Sequence, residues 1–169
     1  MKKKLKKIGI GCLGVCILGV VTCGTVEVKL NYPFAKSIAF ADRIVVRDGG
    51  FDCCGNVDEQ DVLFVVTDKD EIETVRNNIR FVKRPSVGTC KCCGGPGMDW
   101  YKGDERIALT AFQHGKAIRW RGFSRHFGYG DRPLTGKSKA WLKEWFKSHD
   151  LADFDHYTPR KFLIEPGDE

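Results

Sequence analysis

From Ile8 to Val26 the chain carries no charged side chain across 19 positions, and Lys2, Lys3, Lys4, Lys6 and Lys7 stand directly before this run. A helix of that length is near the lower limit for crossing the hydrocarbon core of a bilayer. Only Lys29 follows closely, so the lysine asymmetry keeps the N-terminus in the cytoplasm and sends the remainder across. A buried core helix is a poor alternative for a segment with five glycines and a lysine flank. Thr22 and Gly24 offer a signal-peptidase site, and Cys23 a lipidation site, so secreted and lipoprotein forms stand beside the uncleaved anchor. Gly9, Gly11 and Gly14 have the spacing of a dinucleotide-binding loop, but no strand precedes them and no βαβ unit follows.

The lysine cluster also settles what the net charge of +6 means. Of 28 basic residues five belong to the cluster, so 23 face 22 acidic ones in the rest of the chain. A near-neutral remainder removes the electrostatic footprint of a nucleic-acid partner. The expected organisation is an N-terminal signal-anchor at 1–29, a linker at 30–37, one folded domain at 38–150 and an irregular C-terminal tail at 151–169.

Within the domain, Asp42 to Asp48 alternates, with Ile44 and Val46 facing inward and Arg43, Val45 and Arg47 facing outward as a half-exposed strand. Val62 to Val66 has the composition of a buried strand. Asp68, followed three residues later by Glu71, opens a helix in the manner of a capping box, with Ile72, Val75 and Ile79 as its apolar stripe. Met98 to Lys102 and Arg106 to Phe112 read as a hairpin turning at Gly103 and Asp104. A turn at His114 and Gly115 leads to Ala117 to Arg121, with Ile118 and Trp120 inward and Arg119 and Arg121 outward. Thr135 is the expected N-cap of a second helix running to about Lys147. The element order ββαβββα predicts an α+β fold: an antiparallel sheet with helices packed on one face, preceded by one N-terminal hydrophobic helix.

Chain direction through this topology brings the loop with Cys53 and Cys54, the loop with Cys90, Cys92 and Cys93, and the turn at His114 to one end of the sheet. Three readings compete there. Disulfides fit a compartment outside the cytoplasm, and a bridge between the two loops would close about 35 residues and contribute roughly 3 to 4 kcal/mol. Zinc or copper held by Cys90, Cys92, Cys93 and His114 is the second, although the adjacent Cys53 and Cys54 make a poor second ligand pair. Thiol redox chemistry is the third, but Cys90 and Cys93 precede a strand where a reactive C-x-x-C pair normally opens a helix. No cofactor is otherwise implied.

A basic and aromatic stretch containing Arg119, Arg121 and Arg125 offers contacts to an anion or a lipid headgroup, the alternative being a solvated strand edge. His126, His149 and His156 stand in no nucleophile or acid–base motif, and His149 suits a helix C-terminus.

The set Cys90, Cys92, Gly94, His114, Gly115, Ile118, Arg119, Trp120, Asp131, Leu134, Thr135, Ser138, Leu142, Trp145 and His149 resembles a pattern in small bacterial exported or lipoprotein-like proteins of no established activity. The resemblance spans about Ala41 to His149. It implies the domain boundary and a pairing of cysteine with histidine, and it brings no mechanism. The expected role is therefore a membrane-anchored, non-catalytic binding or envelope protein acting on a protein or small-molecule partner. A metal-binding protein and a thiol-dependent enzyme are the alternatives.

Overall fold

The computed structural model describes residues 33–50, 56–83, 92–122, 131–152 and 154–159. Residues 1–32, on which the anchor expectation falls, lie outside these, and no helix among the described residues is long and apolar enough to cross a membrane.

Six antiparallel strands form one sheet: β1 (Arg43–Arg47), β2 (Val62–Val66), β3 (Gly97–Lys102), β4 (Glu105–Gln113), β5 (Ala117–Gly122) and β6 (Arg132–Pro133), in the order β2-β1-β3-β4-β5-β6. Helix α1 (Lys69–Asn78) follows β2, and helix α2 (Gly136–Ser148) follows β6. The fold is α+β.

Alternation along the strands builds one apolar face. Ile44 is opposite Trp100, Val46 opposite Met98, and Phe112 opposite Ile118. Ile72, Val75 and Ile79 from the first helix and Leu142, Trp145 and Phe146 from the second join these residues in one core. Asp68 caps α1 by accepting the Glu71 amide N–H at 2.8 Å, and Thr135 caps α2 by accepting that of Ser138 at 3.2 Å. Only half of the capping box forms. The Glu71 carboxylate is instead taken by Trp145 Nε1 and His149 Nε2, each at 2.7 Å, and His149 stacks on Phe64.

The structure differs from the sequence reading in four places. Val62–Val66 is an edge strand, with Val62 58 % and Val65 48 % exposed, because an apolar run says nothing about position in the strand order. Arg47 and Arg119, expected to face solvent, are buried, since the second face of the sheet is also covered at this end. Residues 33–37, within the expected linker, are helical and place Phe34 in the core, with Ile38 just beyond. The expected irregular tail returns as a 3-10 turn at Phe154–His156, and Phe154 is fully buried against Phe112 and Phe146.

Candidate functional site

The end of the sheet where β1 finishes and β3 begins is built from glycine. A Cβ on Gly50 would collide with the Cys93 carbonyl, and one on Gly94 with the Gln113 side chain and the Phe112 carbonyl. Gly94 also has φ +74°, a conformation that L side chains avoid. Gly95 N–H donates to the Phe112 carbonyl at 2.7 Å, and Phe112 N–H donates back to the Pro96 carbonyl at 3.1 Å. This pairing extends the β3–β4 ladder toward Cys92 and sets its side chain beside the end of β4.

The turn after β4 completes the juxtaposition. Lys116 N–H donates to the Gln113 carbonyl at 2.9 Å, and the two central residues, His114 and Gly115, have φ 51° and 60°. Positive φ at both central positions is the signature of a hairpin turn matched to strand twist. At His114 it costs about 1 kcal/mol relative to glycine. The turn brings His114 Nε2 to 3.3 Å from Cys92 Sγ, and Gln113 Oε1 accepts from the same sulfur at 3.0 Å.

Cys92 carries a thiol outside any disulfide, whereas Cys93 is disulfide-bonded. Cys53, Cys54 and Cys90 lie outside the described residues. In its disulfide, Cys93 offers no thiolate to a metal ion. Among the described residues no three His, Cys, Asp or Glu side chains come together as a metal ion would require. Of the four residues in the expected metal set, the structure therefore places Cys92 and His114 side by side and Cys93 adjacent in the chain.

Two buried guanidinium groups hold the loops at this end. Arg47, 2 % exposed, lies 3.1 Å from the Asp99 carboxylate and donates to the carbonyls of Gly49 at 2.9 Å and Gly50 at 2.8 Å. Burial pushes the Asp99 carboxyl above its usual range, and the neighbouring Arg47 offsets part of that rise. Arg119 is bound to Asp131 at 2.9 Å and donates to the Cys92 carbonyl at 3.1 Å. Arg119, expected as an anion or headgroup contact, is thus buried and paired with Asp131. Arg121 is exposed, and Arg125 lies outside the described residues.

Two open cavities adjoin His114. The smaller, about 320 Å³, is lined by Cys92 to Gly95, His114 and Tyr157 to Pro159. The larger, about 750 Å³, lies between the His114 turn, α2 and the C-terminal 3-10 turn. His114, Lys116, Lys139, Lys143 and His156 line it, against one carboxylate, Asp155, which is paired to Lys143 at 2.7 Å. Tyr157 belongs to both cavities and donates its hydroxyl to Asp48 beyond β1.

Sequence reasoning missed Gln113, the groove lysines and Tyr157. Lys139 and Lys143 stand four apart on α2 and so share a helix face, a readable signal. Their partner, the C-terminal turn, has no periodicity to announce it. The chain matches no protein-family model, and comparison with curated proteins and with solved structures finds no significant match.

Proposed function

We propose that this chain is a membrane-tethered binding module, its α+β domain held outside the cytoplasm, which takes an anionic ligand in the larger groove. The observation that carries the reading is the groove's charge: three lysines and two histidines surround it, and its one carboxylate is already engaged by Lys143. Converging cations in a concave site favour a phosphate or carboxylate group. The lysine-flanked hydrophobic segment supplies the tether, and the disulfide at Cys93 suits an oxidising compartment.

Titration of the full chain, in a neutral detergent, with glycerol phosphate tests the ligand class. Amide shifts should concentrate at His114, Lys116, Lys139 and His156, and Lys139→Glu should weaken binding by about tenfold, the order expected for removing and reversing one charge near an anion. Small shifts spread evenly over all surface lysines would refute a built site.

A further inference from the structure

We infer that Cys92, His114 and Gln113 form a thiol–disulfide exchange site whose substrate is a small external disulfide. This goes beyond anion binding and does not depend on it, since it rests on the smaller cavity and on three side chains.

The sulfur is placed against a base. His114 Nε2 at 3.3 Å is close enough to take the Cys92 proton, and the left-handed turn that puts it there is a conformation His adopts only at some cost. Gln113 gives the independent observation. Its residue is 3 % exposed, and its Nε2 is buried with no hydrogen-bond partner among the described residues, while its Oε1 accepts from the thiol. A buried amide N–H without an acceptor is a destabilising arrangement that proteins rarely tolerate without a use for it. The carboxamide can present either end to the sulfur, because its oxygen and nitrogen are equal in size and placement. Facing a thiol, the oxygen accepts S–H. Facing a thiolate, the orphaned Nε2–H finds the acceptor it otherwise lacks.

The surroundings suit the same chemistry. Arg119, anchored by Asp131, fixes the Cys92 backbone through its carbonyl. Gly94 and Gly95 line the adjacent cavity without side chains, leaving room for the substituent on an incoming sulfur.

The exchange balances within the site and its substrate. His114 accepts the proton of Cys92 Sγ, and the thiolate attacks one sulfur of R–S–S–R′. The Cys92–S–S–R bond forms as the S–S bond of the substrate breaks. The electron pair leaves on R′–S⁻, which takes the proton back from His114. No further oxidant is needed.

The test uses bis(2-hydroxyethyl) disulfide, an uncharged probe, so that failure of the anion site and failure of this site are separable. Full-length protein in neutral detergent is mixed with the probe at pH 7, and each cysteine is followed by peptide mass spectrometry. Cys92 should form its mixed disulfide at least about tenfold faster than N-acetylcysteine, and Cys92→Ser should abolish that fast phase. His114→Asn, chosen because Asn tolerates positive φ and so preserves the turn, should bring the rate down to that of the free thiol. Gln113→Leu should slow the reaction while circular dichroism reports an intact fold. A Cys92 rate equal to that of N-acetylcysteine, an unchanged rate in His114→Asn, or a stoichiometric metal ion that blocks Cys92 would each overturn the proposal.

Discussion

Replacing Arg47 by Met is the most informative single change. The side chain is 3 % exposed, and the substitution preserves much of its length while removing the charge and all its donors. Asp99, 1 % exposed, then loses its nearest counter-ion, with Arg106 left at 3.4 Å; the Gly49 carbonyl loses the Arg47 donor, and the Gly50 carbonyl keeps only Gln60 Nε2 at 2.9 Å. Breaking a buried ion pair from one side costs about 3 to 5 kcal/mol, most of it from the stranded partner. With a urea m-value of about 1 to 3 kcal/mol/M, the midpoint should fall by roughly 2 M. The pH dependence has a definite sign. Burial already raises the folded Asp99 carboxyl above its ordinary value of 3.8, so its contribution is most favourable below that value and is lost as pH rises through the folded pKa. Without Arg47 that pKa rises further, and the loss of stability from pH 4 toward neutrality steepens. Adding Asp99→Asn to Arg47→Met should recover part of the stability at pH 7, because the stranded carboxylate is gone. A loss under about 1 kcal/mol, the worth of an exposed pair, together with a flat pH profile, would show that water reaches the guanidinium and that the argument from burial fails.

Three further changes probe other parts of the fold. Gly50→Ala should destabilise the domain by about 2 kcal/mol in urea and shift the Cys93 and Gly94 amide resonances, because its Cβ collides with backbone of the neighbouring loop. Phe154→Ala should cost about 3 to 5 kcal/mol by thermal unfolding, as for any fully buried phenylalanine, and silence would mean that the C-terminal turn is not part of the core. Glu71→Ala should cost about 1 to 3 kcal/mol and alter tryptophan fluorescence, since Trp145 Nε1 loses its acceptor; a variant unchanged in both would refute the bridge between the helices.

What could be read from sequence was local. Ile44 and Val46, the caps at Asp68 and Thr135, and the two-residue turn at Gly103 and Asp104 each follow from a spacing of two to four residues. What could not be read was decided by partners far along the chain. Arg47 looks outward by alternation, and only Asp99, 52 residues later, makes its burial tolerable. Val62–Val66 looks buried because its side chains are apolar, yet the strand order that leaves it at the edge is set by β1 pairing also with β3. Phe154 and Tyr157 sit in a stretch with no period at all, and their packing depends on Phe112 and Asp48. At the candidate site the direction of the chain was enough to associate His114 with Cys92. The orphaned amide of Gln113 was invisible, since a glutamine at a strand end reads as solvated.

The two buried arginines hold the described loop residues at this end, Gly49, Gly50 and Cys92. Loops rich in glycine lose the most conformational freedom on ordering, so this end needs contacts stronger than neutral turns supply. Arg47, oriented by Asp99, donates to the carbonyls that follow β1, and Arg119, oriented by Asp131, donates to the Cys92 carbonyl. Each pair thus spends its charge-assisted hydrogen bonds on the backbone of one loop, and the two loops meet where Gly50 lies against Cys93. Because the loops share that contact, loosening either arginine should loosen both. The geometry of Cys92 against His114 therefore depends on Arg47, which touches neither, and Arg47→Met should slow the Cys92 reaction at temperatures where the domain is still folded.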